Sequence, residues 1–131
     1  MKRIGHKGAH TIEHGNTAAS FHAAREVGVD MIEFDIIRHP YEDRHVGRLV
    51  LAHDPTDAAE REESTLITME QGLDLLASSD FAKIALDVDM KHRGYELQLI
   101  DALRERELLD RTMITTMEYE SIKLLREHVR R

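Results

Sequence analysis

The chain has 131 residues, of which 41% are hydrophobic, 33% charged and 5% aromatic, enough for one domain with a buried core and too few for two of ordinary size. Its 25 acidic and 18 basic side chains give a formal charge of −7, which argues against a broad electrostatic grip on nucleic acid. There is no cysteine, so disulfides, thiolate metal sites and cysteine nucleophiles are excluded together. No apolar run approaches the roughly 20 residues that span a bilayer, and the opening Met1-Lys2-Arg3-Ile4-Gly5-His6 lacks the apolar stretch of a signal peptide. The expectation is a soluble, cytoplasmic domain.

In chain order, the first strand is predicted at Arg3–Gly5. A helix follows from about Thr17 to Val27, with Phe21, Ala24 and Val27 on one stripe, Asn16 or Thr17 as its cap and Gly28 as its left-handed end. Met31–Ile36 reads as the second strand and Arg48–Ala52 as the third. The polar stretch between them, with Pro40, Glu42, Asp43 and Gly47, has no Asn-Gly or Asp-Gly hairpin signal. The arrangement of those two strands therefore stays open. Asp57 to Ser64 reads as a charged, solvated loop.

Thr68-Met69-Glu70-Gln71 matches a capping box, opening a helix that turns Met69, Leu73 and Leu76 inward. Ile84–Met90 is the fourth strand. A helix from about Tyr95 to Leu108 carries Leu99, Ala102 and Leu103 on one side, and Met113–Thr116 is the fifth strand. A last helix uses Ile122, Leu125 and Val129. Alternating strand–helix units with inward polar residues suggest a (β/α) barrel, which typically takes about 250 residues. Five strand candidates amount to a little over half of one.

The chemistry concentrates on two strands. In Met31-Ile32-Glu33-Phe34-Asp35-Ile36, alternation puts Glu33 and Asp35 on one face and Ile32, Phe34 and Ile36 on the other. In Ile84–Lys91, Asp87, Asp89 and Lys91 likewise oppose Ile84, Leu86, Val88 and Met90. Paired carboxylates on the inner face of a buried strand are costly unless a cation or hydrogen-bond donors compensate. The same pattern also suits two edge strands with solvated polar faces.

His6 and His53 end the first and third apolar runs, and are expected at the carboxyl rim where barrels build active sites. Oxygen ligands beside two proton-transfer groups suit a hard divalent cation, magnesium or calcium, with histidine acid–base catalysis. The His6, His10 and His14 spacing would align three imidazoles on a helix, but Gly5, Gly8 and Gly15 speak against a helix there. His22, His39, His45, His92 and His128 read as solvated.

Five blocks, in order and spacing, resemble the glycerophosphodiester phosphodiesterase family. They are Gly5-His6-Lys7-Gly8-Ala9, Asn16-Thr17 with Phe21, Ile32-Glu33-Phe34-Asp35, Leu49-Val50-Leu51-Ala52-His53-Asp54, and Leu86-Asp87-Val88-Asp89-Met90-Lys91. The resemblance implies that residues 1–131 form the N-terminal portion of a TIM-barrel-type phosphodiesterase domain. It implies a metal-dependent hydrolase that releases glycerol 3-phosphate and an alcohol from a glycerophosphodiester. Carried over residue by residue, Glu33, Asp35 and Asp89 would bind the metal, His6 and His53 would be the acid–base pair, and Lys7 and Lys91 would contact the phosphate. The nucleophile would be water or the substrate's own neighbouring hydroxyl.

Three positions depart from the family pattern. Lys7 stands for an arginine, which loses the bidentate geometry and keeps the charge. Gly15 stands where the family has an acidic residue. Asp89 replaces a glutamate, shortening the reach by about 1.3 Å, a gap that Asp87 or a water could fill. Without the rest of the barrel two strand edges are exposed, and the chain is expected to fold as an open sheet, to close by homodimerisation, to need a second polypeptide, or to be a truncated product of a longer ancestral gene.

Overall fold

The structure, a computed structural model, describes residues 3–9, 14–39, 48–61 and 65–129. His10, the stretch from Pro40 to Gly47 and His45 within it, and the end of the Asp57–Ser64 segment lie outside those residues. Five strands form one sheet: β1 (Ile4–His6), β2 (Met31–His39), β3 (Arg48–Leu51), β4 (Ala85–Met90) and β5 (Thr112–Thr115). The helices are α1 (Ala18–Val27), α2 (Pro55–Glu60), α3 (Met69–Leu76), α4 (Glu96–Glu105) and α5 (Tyr119–Val129).

Four strands run parallel in the order β1-β2-β4-β5, each separated from the next by helical crossovers. β3 is the exception. It pairs antiparallel with the far end of β2, Ile36 opposite Leu51 and His39 opposite Arg48. This settles the arrangement that the sequence left open, and it carries β2 three residues past the predicted stop at Ile36. The sheet does not close: among the described residues, β1 and β5 each have one strand neighbour. The architecture is that of an open part of a barrel.

Alternation along β2 and β4 sorts apolar from acidic side chains. Ile32, Phe34, Ile36, Leu86 and Val88 are fully buried, with Met90 at their level, in a core shared with Phe21 of α1, Leu73 and Leu76 of α3, and Leu99 and Leu103 of α4. Phe21 meets Phe34 edge to face at 5.7 Å between ring centres. Both acidic strands are interior to the sheet, since β2 lies between β1 and β4, and β4 between β2 and β5. The reading of two edge strands with solvated faces is thereby overturned.

Local signals account for the helix starts. Thr17, and not Asn16, caps α1, in a reciprocal box with Ser20. Gly28 ends that helix at φ 87°. Thr68 and Gln71 make the expected box at α3. The segment taken as a solvated loop instead opens with α2: Asp54 caps it by accepting from the Asp57 N–H at 2.7 Å, and Pro55 occupies its first position. An aspartate followed by proline before a short Ala pair was the local cue for this helix.

β3 lies beside β2 in the sheet, and α2 packs against β2. Ile37, Val50, Ala52, Ala58 and Leu66 form a second, smaller apolar cluster there. Asp35 is only 1% exposed.

Candidate metal and acid–base site

The register of the parallel strands stacks the inward side chains in layers. Ile4, Met31 and Ala85 share the first level. His6, Glu33, Asp87 and Met113 share the second, and Asp35, Asp89 and Thr115 the third. An apolar layer thus underlies two levels rich in charge. Asp35 and Asp89 stand near the carboxyl end of the parallel β2–β4 pairing, which ends at Ile36 and Met90.

Glu33, Asp35 and Asp89 each offer a carboxylate oxygen, all within 4.8 Å of one another. Asp87 lies outside this set. It faces the same way, but its Oδ1 accepts from the Thr115 hydroxyl at 2.7 Å. The shorter side chain at position 89 therefore needs no substitute from Asp87 to join the group.

Three carboxylates this close repel one another unless positive charge or protons intervene. Burial first, and then the charge of Asp35, push Glu33 up to about 7 from its usual 4.5, against the pull of the Lys7 N–H. Lys91 supplies positive charge: its Nζ lies 2.8 Å from Asp89 Oδ2 and 3.5 Å from Asp35 Oδ1. Burial by itself would lower the Lys91 pKa, but the hydrogen bond to Asp89 and the charges of Asp35 and Asp89 outweigh it and raise it. One lysine does not balance three carboxylates. An all-oxygen donor set with surplus negative charge fits a hard divalent cation.

The two histidines flank this set. His6 Nε2 is 3.3 Å from Glu33 Oε2, and His53 Nδ1 is 3.7 Å from Asp35 Oδ2. Both rings are about half exposed, at 57% and 48%, so a ligand can reach them. His53 arrives by a route other than the expected one. It does not sit at the carboxyl rim of a parallel strand; antiparallel β3 runs back along β2 from the Ile36–Leu51 pair, toward the level of Asp35.

Lys7 reaches the cluster through its backbone, donating to Glu33 Oε2 at 3.1 Å. Its φ of 55° is unusual for a residue with a side chain, and the turn is held by Ser20 Oγ and Asn16 N–H donating to the Lys7 carbonyl. Gly8 follows at φ 84°, in a place where any Cβ would collide with Ser20. Glycine is required there because β1 must turn sharply to aim a backbone donor at Glu33.

One contributor was missed, and one histidine sits otherwise than expected. Asn16, fully buried and also left-handed at φ 60°, donates from Nδ2 to Asp35 Oδ2 at 3.0 Å and accepts the Asp35 N–H at 2.9 Å. The Asn-Thr block marked the position, but only its capping use was inferred. His92 is half-buried behind Lys91 and not solvated as expected; burial, with the Lys91 charge, holds its pKa below the usual value. His14 is not among the converging ligand groups and lies 3.1 Å from Asp57, which also binds Arg61 and the His53 N–H.

A parallel strand–helix sheet of this kind belongs to the class of barrel-type scaffolds. The particular scaffold is that of the glycerophosphodiester phosphodiesterases. The chain superimposes on a glycerophosphodiester phosphodiesterase from Agrobacterium tumefaciens with a TM-score of 0.77 at 17% identity, over 99% of this chain and 64% of that one. For the enzyme from Parabacteroides distasonis the values are 0.75 and 19%, over 96% and 62%. A phosphodiesterase from Oleispira antarctica, in complex with the product sn-glycerol-3-phosphate, matches at 0.72 and 18%, over 98% and 62%. No protein-family profile and no curated protein matches the sequence. The chain thus has the fold of a partial glycerophosphodiester phosphodiesterase domain, and spans under two thirds of the length of these structures. No helix among the described residues is long and apolar enough to cross a membrane.

Proposed function

We propose that the chain is part of a metal-dependent hydrolase of glycerophosphodiesters, releasing glycerol 3-phosphate and an alcohol, in a domain that residues 1–131 supply in its N-terminal portion. One observation carries this reading: three carboxylates converge at 4.8 Å, with His6 and His53 beside two of them. Glu33, Asp35 and Asp89 would hold magnesium or calcium, which when bound supplies Lewis-acid neutralisation of phosphoryl oxygens.

The chain's own groups divide the remaining work. Lys91, held at the cluster by Asp89 and Asp35, adds positive charge on the side of the phosphate, and Lys7 stands at the turn after β1 for the same task. One imidazole accepts the proton of the attacking oxygen as it bonds to phosphorus; if that oxygen is the substrate's own neighbouring hydroxyl, water then opens the cyclic phosphodiester to glycerol 3-phosphate. The other gives a proton to the departing alcohol oxygen as the P–O bond breaks. The Glu33 and Asp35 side chains stand beside the two rings, at 3.3 Å and 3.7 Å. A small-molecule glycerophosphodiester in the cytoplasm is the substrate, with neither nucleic acid nor a membrane span involved.

The test is release of glycerol 3-phosphate from glycerophosphocholine and glycerophosphoethanolamine with magnesium, calcium or a chelator, beside His6→Ala. Cation-dependent turnover that the variant loses supports the reading. Absence of turnover from folded protein favours a second one, a cation-binding or assembly module without catalysis. That second reading draws on the open sheet, whose β1 and β5 each pair on one side among the described residues. A homodimer or a second chain would complete the barrel across those edges.

A further inference from the structure

Arg61 belongs to none of the blocks that carry the reading above, yet its side chain is only 3% exposed. Its guanidinium grips Asp57 with two nitrogens, Nε to Oδ1 at 3.3 Å and Nη2 to Oδ2 at 2.9 Å. The same group donates to three backbone carbonyls: Gly15 at 3.1 Å, Asn16 at 3.1 Å and Thr65 at 3.4 Å. Asp57 in turn accepts the His53 backbone N–H at 3.0 Å. One buried cation therefore ties together the segment after β1 and the segment after β3.

Both tied segments end on the same carboxylate. Asn16 bonds Asp35 twice through its side chain, and the His53 ring lies 3.7 Å from Asp35 Oδ2. Asn16 also sits at φ 60°, a conformation that needs support from its surroundings, and Arg61 holds the carbonyls on either side of its Cα. We propose that Arg61, acting with Asp57, is a positioning residue that aims Asp35 and His53 at the acidic cluster. The inference rests on the reading of that cluster as a cation site.

The fork geometry is central. Only a planar guanidinium can hold a carboxylate with two nitrogens and still offer further donors to carbonyls in fixed directions. Lysine at 61 keeps the charge but not the fork, and glutamine removes the guanidinium from Asp57, which then keeps the His14 ring at 3.1 Å and the His53 N–H.

The experiment titrates calcium and magnesium chloride calorimetrically into the wild type, Arg61→Lys, Arg61→Gln and Glu33→Ala. Each protein is used at a temperature where circular dichroism shows it folded. Amide spectra follow the Asn16 side chain and the His53 backbone in each. Arg61→Gln is expected to raise the cation Kd roughly tenfold, the cost typical of losing a group that orients a ligand, with Arg61→Lys between it and the wild type. The Asn16 and His53 amides should shift while those of α5 stay in place. A Kd within about twofold of wild type in Arg61→Gln, when Glu33→Ala has lost binding, overturns the proposal. If Glu33→Ala also binds normally, the cation reading itself has failed. Unmoved Asn16 and His53 amides then overturn the role of Arg61 as well. Should Arg61→Gln not fold, Asp57→Asn is judged by the same criteria.

Discussion

Asn16 and Asp35 are joined by two hydrogen bonds that run in opposite directions, side-chain amide to carboxylate at 3.0 Å and backbone N–H to side-chain oxygen at 2.9 Å. The pair leaves Asp35 one fixed orientation inside a setting that exposes only 1% of it. A buried carboxylate with so few free directions is either a ligand or a liability, and its neighbours Glu33 and Asp89 favour the first.

Asn16→Ala is expected to weaken calcium or magnesium binding about tenfold, because Asp35 loses its orienting partner. Asn16→Gly, which accepts the left-handed backbone without the amide, should show the same loss. Isothermal titration of both variants distinguishes the side chain from the backbone. Unchanged affinity in Asn16→Gly would mean that Asp35 needs no such guide.

Glu33→Ala should lower cation affinity by roughly tenfold or more, since it removes one of the three converging oxygens. Equal binding by variant and wild type removes Glu33 from the ligand set.

His6→Ala and His53→Ala should each reduce turnover by about a hundredfold or more while cation binding persists, as expected of proton-transfer groups that flank the ligands. Assays of glycerol 3-phosphate release, paired with cation titrations, read the two effects separately. Full activity in either variant would end its catalytic assignment.

The Asp57–Arg61 pair sets an acid limb on stability. Burial of Asp57 opposes ionisation, but its bonds from Arg61 and from the His53 N–H outweigh this and lower its pKa to about 2 from 3.8. As the pH falls below 4 the unfolded chain takes up this proton before the folded one does. The stabilisation is therefore present above about pH 4 and is lost as the pH falls through about 2. Chemical denaturation between pH 6 and 2 should show the decline, as read against about that range of unfolded and folded pKa values. Asp57→Asn should be less stable near pH 6 and flatter toward acid; an unaltered acid slope would argue against this linkage.

Phe34 is fully buried, with its ring against Phe21. Phe34→Ala should cost about 3–5 kcal/mol, from lost burial and the cavity left behind. Urea unfolding measures it, and a loss below about 1 kcal/mol would mean the core collapses around the gap.

Much of this protein was legible in the chain order of its residues. Period-two alternation in Ile32–Ile36 and Leu86–Met90 separates core from acids whatever lies beside the strands, because successive side chains must point to opposite faces. The capping pairs at Thr17 and Thr68 likewise act within one turn of helix. The five strands, the helices α1, α3, α4 and α5 and the inward face of the acids follow from such short-range constraints.

Tertiary structure decided what depends on distant partners. The antiparallel course of β3 brings His53 down to Asp35, and no local pattern states a strand's direction. Arg61 and Asn16 acquire their roles through bonds to residues 46 and 19 positions away. Asp87 and Asp89 have the same alternation and similar sequence surroundings, yet Asp87 meets the Thr115 hydroxyl and Asp89 meets Lys91 and Asp35's side of the cluster. Sequence specifies which face a side chain takes, because that is backbone geometry; the neighbours on that face come from how the chain returns to it.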